Sequence, residues 1–147
     1  MKAKLDPCIG LLELSSIAAG IEARDAMLKD APVRAVLARP VSPGKYVILV
    51  TGDVDEVKSS VRAGRDGRLD VLIDELILPN AHPGVFAALA GPVRVAELDA
   101  VGVIETASVA STLVAADIAV KYASVTLLDL RLANGIGGKG YVTLTGE

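Results

Sequence analysis

The stretch Arg39–Gly52, RPVSPGKYVILVTG, is written a second time in the same chain as Arg131–Gly146, RLANGIGGKGYVTLTG. Each version reads as the end of one strand, a Gly/Pro turn, and a Gly-Lys-Tyr or Gly-Lys-Gly-Tyr entry into an alternating apolar strand. A loop kept through duplication on one scaffold points to symmetric placement. The two turns are expected to meet around an axis and line a pore.

The duplication extends on both sides of the turn. A shift of 92 positions pairs Gly10 with Gly102, Glu13 with Glu105, Ser16 with Ser108, Asp25 with Asp117, Lys29 with Lys121, Val33 with Val125 and Arg39 with Arg131. The apolar positions Ile17, Ile21 and Leu28 fall on Val109, Leu113 and Val120. Past the turn the shift becomes 94, pairing Gly44-Lys45 with Gly138-Lys139 and Gly52 with Gly146, so the second copy carries a two-residue insertion in the loop itself.

Within the first copy, IGLLEL (9–14) reads as a strand, and Ser15-Ser16 offers a helix N-cap. Ile17, Ile21 and Leu28 then recur at helical spacing, with Asp25 and Lys29 as an i,i+4 pair on another face. Pro32 ends that helix. Val33–Arg39 is the next strand, Pro40–Gly44 the turn, and Lys45–Thr51 the returning strand. A second helix is expected from Val54 to about Ala63, a further strand from Asp70 to Leu78, and a short terminal helix in VFAALAG. This order is the split βαβ, ferredoxin-like arrangement. The fold class is α+β, an α/β sandwich, with two such domains in tandem over residues 1–95 and 96–147. The second copy stops at Glu147, where its second helix would begin, so the expectation is an incomplete second domain lacking a segment equivalent to Asp53–Pro92.

Composition narrows the function classes. The chain has 147 residues, 52% of them hydrophobic, with a formal charge of -3 and only 3% aromatic residues. Nucleic acid is not an expected partner, because both the basic footprint and the stacking platform are missing. Charges or turn residues interrupt every apolar run before about 18 residues, so no membrane span is expected, and the N-terminal MKAKLDPCIG lacks the apolar core of a signal peptide. A cytoplasmic location is the default. The single cysteine, Cys8, forms no internal disulfide and reads as a small buried hydrophobe.

The stretches IGLLELSSIAAGIEARDAMLK, SPGKYVILVTGDV, LPNAHP, VGVIETASVA and GIGGKGY carry a resemblance that covers nearly the whole chain. It resembles the bacterial microcompartment (BMC) shell proteins, and among them the tandem-domain trimeric class of the propanediol-utilisation type. The resemblance implies a structural, non-enzymatic protein: a homotrimer of two-domain subunits that mimics a hexagonal disc, tiles with other shell proteins, and passes small metabolites through a central pore. The pore-lining residues implied are Val41, Ser42, Pro43, Gly44 and Lys45 from the first copy and Gly135, Ile136 and Gly137 from the second. Lys29 and Lys121 would lie at the disc edge. In the propanediol-type relatives the first loop reads Cys-Pro-Gly-Lys, and that cysteine from three subunits holds an iron-sulfur cluster. Ser42 stands there in this chain, so no metal and no cofactor is expected.

Other chemistries fit less well. GIGGKG lacks the spacing of a phosphate-binding loop: Ala133 takes the place of its first glycine, Gly140 follows Lys139 where Ser or Thr is needed, and a strand rather than a helix comes next. His82, in a Pro/Asn turn, reads as a hydrogen-bonded structural residue, and Glu13 and Glu105 as a repeated structural feature. One histidine and one cysteine assemble no catalytic or metal-ligand cluster. The alternative from another class is a ferredoxin-like regulatory or enzymatic domain that holds a small molecule between the repeats.

Overall fold

The strand β1 (Cys8–Leu14, CIGLLEL) is buried at every position, as its near-continuous apolar run requires. In the computed structural model, which describes residues 8–147, it pairs antiparallel with two neighbours. On one side is β3 (Lys45–Gly52), which in turn pairs with β2 (Arg34–Val41); on the other is β4 (Leu72–Leu78). The order β2-β3-β1-β4 is the expected split βαβ sheet, in which β1 and β2 run parallel with β3 between them.

Two helices cover one face of this sheet. Ser16 caps α1 (Ile17–Asp30) by accepting a bond from the Ala19 amide at 3.2 Å. In α2 (Val54–Arg65) the Glu56 carboxylate reaches back to the Asp53 amide at 3.4 Å. Leu12, Leu14, Met27, Ile48, Val50 and Val57 form the core between sheet and helices. Small residues set the spacing. A Cβ on Gly10 would come within 2.6 Å of Val57, and one on Gly20 would overlap the Tyr46 side chain.

The side of α1 that meets its own sheet is therefore Gly20, Ala23 and Met27, all buried. The expected apolar positions Ile17, Ile21 and Leu28 point the other way and are exposed by 42%, 54% and 37%. Hydrophobicity marked a second surface of the helix, while close packing selected small residues for the first. β2 also runs further than the expected end at Arg39, through Pro40 to Val41, which an edge strand tolerates because the missing amide faces away from the ladder.

The chain divides into two units, the first ending at Asn80 and the second comprising Ala81–Glu147. The second repeats the scheme. β5 (Ala100–Thr106), β6 (Val125–Leu132) and β7 (Gly140–Gly146) form an antiparallel sheet in the order β5-β7-β6, the counterpart of β1-β3-β2. Ser108 caps α4 (Val109–Tyr122) through the Ser111 amide at 3.2 Å. Gly140 lets α4 approach β7: a Cβ there would overlap the Thr112 hydroxyl, which lies 2.6 Å from that of Thr106. The short helix α3 (Pro83–Ala90) packs on β6 and α4. It packs with the second unit, which begins at Ala81. Among the described residues β5 pairs only with β7, so its other edge, where β1 receives β4, has no strand.

Candidate functional site

Each unit presents one β-turn flanked by a lysine, and in each a carboxylate on the first strand holds that lysine. In the first unit Val41 pairs with Lys45 at the end of the β2-β3 ladder, and the Gly44 amide donates to the Val41 carbonyl at 3.0 Å to close the turn. Gly44 has φ +110°, a conformation that favours glycine. Glu13 lies opposite Val47 in the β1-β3 ladder, and Lys45, two residues earlier, shares its face of the sheet. The Lys45 ammonium reaches the Glu13 carboxylate along this diagonal at 3.3 Å. The Glu13 side chain is fully buried and that of Lys45 is 15% exposed.

The second unit uses the same diagonal. Glu105 lies opposite Tyr141, and Lys139, two residues earlier, donates to its carboxylate at 2.8 Å. This hydrogen bond, together with the charge of Glu105, raises the Lys139 pKa. The longer turn needs four residues in the left-handed region, Ala133, Gly135, Gly137 and Gly138. The Ala133 amide donates to the Lys139 carbonyl at 2.9 Å, which closes the loop.

The residues implied as pore-lining are thus gathered within each turn but differ in exposure. Pro43, Gly44, Gly135 and Gly137 are exposed; Ser42, Lys45 and Ile136 are half-buried; Val41 is buried. Glu13 and Glu105 are the site residues that sequence reasoning left unconnected. Their signal was present, since both carboxylates and both Gly-Lys steps recur in one register, but only the ladder shows that they meet.

The candidate edge lysines are less alike. Lys29 binds Asp25 at 2.7 Å with both side chains exposed. Lys121 binds Asp117 at 2.5 Å, and that carboxylate is buried and also accepts from the His82 amide at 2.8 Å. The His82 imidazole accepts from the Gly84 amide at 3.0 Å and so caps α3, the structural role expected of it. Cys8 is fully buried, and burial pushes its thiol pKa up, with nearby Lys58 opposing.

The BMC domain family model matches residues 8–81 and 100–147. The bacterial microcompartment shell protein PduT of Citrobacter freundii is 44% identical over 143 residues, spanning 97% of this chain and 78% of that protein. The carboxysome shell protein CcmK2 of Synechococcus elongatus is 38% identical over 69 residues, 47% of this chain and 68% of its own length. A crystal structure of a microcompartments protein from Desulfitobacterium hafniense DCB superposes with a TM-score of 0.86 at 51% identity, covering 95% of this chain and 78% of that one.

Proposed function

The chain belongs to the BMC domain family and is a shell protein of a bacterial microcompartment, and from that premise we propose that it forms homotrimers in which six similar units enclose a central pore. The observation that carries this reading is the repeated turn with its Glu-Lys diagonal. Two units of one design per chain supply six similar wedges from three chains, and such a set closes a ring without a free edge.

In this assembly the turns at Ser42–Gly44 and Gly135–Gly137 line the pore. They present hydroxyl and backbone groups that exchange hydrogen bonds with small polar metabolites. The two lysines at their base are held back by Glu13 and Glu105, which keeps their charge beside the sheet. Lys29 and Lys121 lie at the disc edge, where the trimer tiles with other shell proteins in a layer within the cytoplasm. The role is structural and permeability-setting rather than catalytic.

The pore is metal-free on this reading. A cluster at Ser42 would need soft thiolate ligands, and a serine hydroxyl is a poor substitute. The single thiol of the chain is the buried Cys8 on β1, outside the turn. Native mass measurement at micromolar concentration tests the assembly: three copies of the 15.1 kDa chain are expected, and a stable monomer or dimer contradicts it.

A further inference from the structure

The two copies bury their equivalent surfaces unequally, and the inequality is reciprocal. On α4, Val109, Leu113 and Ala116 are fully buried. Their counterparts on α1 are Ile17, Ile21 and Arg24, all exposed. On β1 the face turned away from the helices carries Ile9, Leu11 and Glu13, all fully buried. The counterparts on β5 are Val101, Val103 and Glu105, exposed by 57%, 63% and 64%.

The chain therefore leaves open one helical stripe and one sheet face, each at positions that the other copy of the same fold buries. Both open surfaces are apolar at two positions and carry one charge at the third, of opposite sign: Arg24 on the helix and Glu105 on the strand. Val101 and Val103 lie on the face of β5 opposite to α4, since Thr106, of the other parity, meets Thr112 of that helix. α4 thus leaves this face free for a partner.

We propose that these two surfaces are made for each other in different copies of the chain: the α1 stripe Ile17, Ile21 and Arg24 of one protomer docks on the β5 face Val101, Val103 and Glu105 of the next. The contact is heterologous, because each protomer contributes a different patch. Every chain gives one helix stripe and receives one, so three chains in a closed ring bury all the patches and leave none exposed. Exposed apolar patches of this kind mark association sites. Glu105 already receives Lys139 on Oε1 at 2.8 Å, and its second carboxylate oxygen is the acceptor placed opposite Arg24, which fixes the register of the pair. The inference deepens the trimeric reading and rests on it.

Two single-cysteine proteins test it, Ile21→Cys and Val103→Cys, each in a Cys8→Ala background. Ile21 and Val103 are exposed, so the new cysteines leave the core alone. Cys8 is fully buried, so the Cys8→Ala background is first checked by circular dichroism and native mass against the wild type. If it does not match, the same two cysteines are placed in the wild-type chain, where the buried Cys8 is shielded from mild oxidation. After subunit exchange, mild oxidation of the mixture is expected to give disulfide-linked dimers several-fold more abundant than from either protein alone. Equal linkage in one of the unmixed samples overturns the proposal, since it would show a patch facing its own copy. Native mass of the same samples separates the two claims. A trimer with no mixed linkage overturns this docking and leaves the ring standing; mixed linkage in a species that is not a trimer upholds the docking and refutes the ring.

Discussion

Replacing Glu13 by glutamine removes one charge from a pair that the first sheet keeps out of water. The Glu13 side chain is fully buried and Lys45 is 15% exposed, so the ammonium left behind has little solvent to replace its carboxylate. Breaking a buried pair by removing one partner costs about 3–5 kcal/mol, and the isosteric amide, which still accepts a hydrogen bond, places this variant near about 3 kcal/mol. With a urea slope of about 1–3 kcal/mol/M, the unfolding midpoint should fall by about 1–3 M. Asp25→Asn is the control: it removes the same kind of carboxylate from a lysine 2.7 Å away, but from a pair exposed by 75% and 62%. Surface pairs contribute about 0–1 kcal/mol, so its midpoint should barely move. Urea unfolding followed by circular dichroism reads both variants. Equal shifts, or a Glu13→Gln shift no larger than the control's, would refute the view that the carboxylate on β1 anchors the turn lysine.

Four further outcomes follow from the same geometry. Gly20→Ala should lower stability by about 1–3 kcal/mol in thermal unfolding, because the new methyl overlaps Tyr46 across the α1-β3 contact. Lys29→Glu should leave the native mass of the trimer unchanged while reducing sheet formation in negative-stain images, since it reverses an exposed charge at the proposed disc edge. Because the Lys139 pKa is raised, its contribution to stability is present below pH 10.5 and is lost as pH rises through the folded value. An alkaline urea series should show that loss in the wild type and a smaller one in Glu105→Gln. Anaerobic reconstitution with iron and sulfide should leave the wild type colourless, while Ser42→Cys should gain visible charge-transfer absorption.

Much of the fold could be read from the chain because the two copies check one another. Ser16 and Ser108 mark both helix starts, and the turn glycines mark both hairpins. What stayed hidden depends on contacts between distant residues. Apolar periodicity in α1 pointed to Ile17 and Ile21, whereas the helix rests on its sheet through Gly20 and Ala23, a choice made by the closeness of Tyr46. Pro40 looked like a turn residue, yet β2 is an edge strand and continues through it. The short helix after His82 followed the first copy in sequence, but it packs on α4 and β6, where Asp117 holds the His82 amide. At the candidate site the turns and the recurring Gly-Lys step are legible in the sequence, whereas the carboxylates that hold the two lysines emerge only from strand register.

The central claim is that three chains place six turns around one opening. Electron cryomicroscopy of the purified protein tests it directly. Flat discs with threefold symmetry are expected, with six similar wedges and an axial opening bordered alternately by Ser42–Gly44 and Gly135–Gly137. Particles without an axial opening, or discs with these turns on the outer rim, would contradict it.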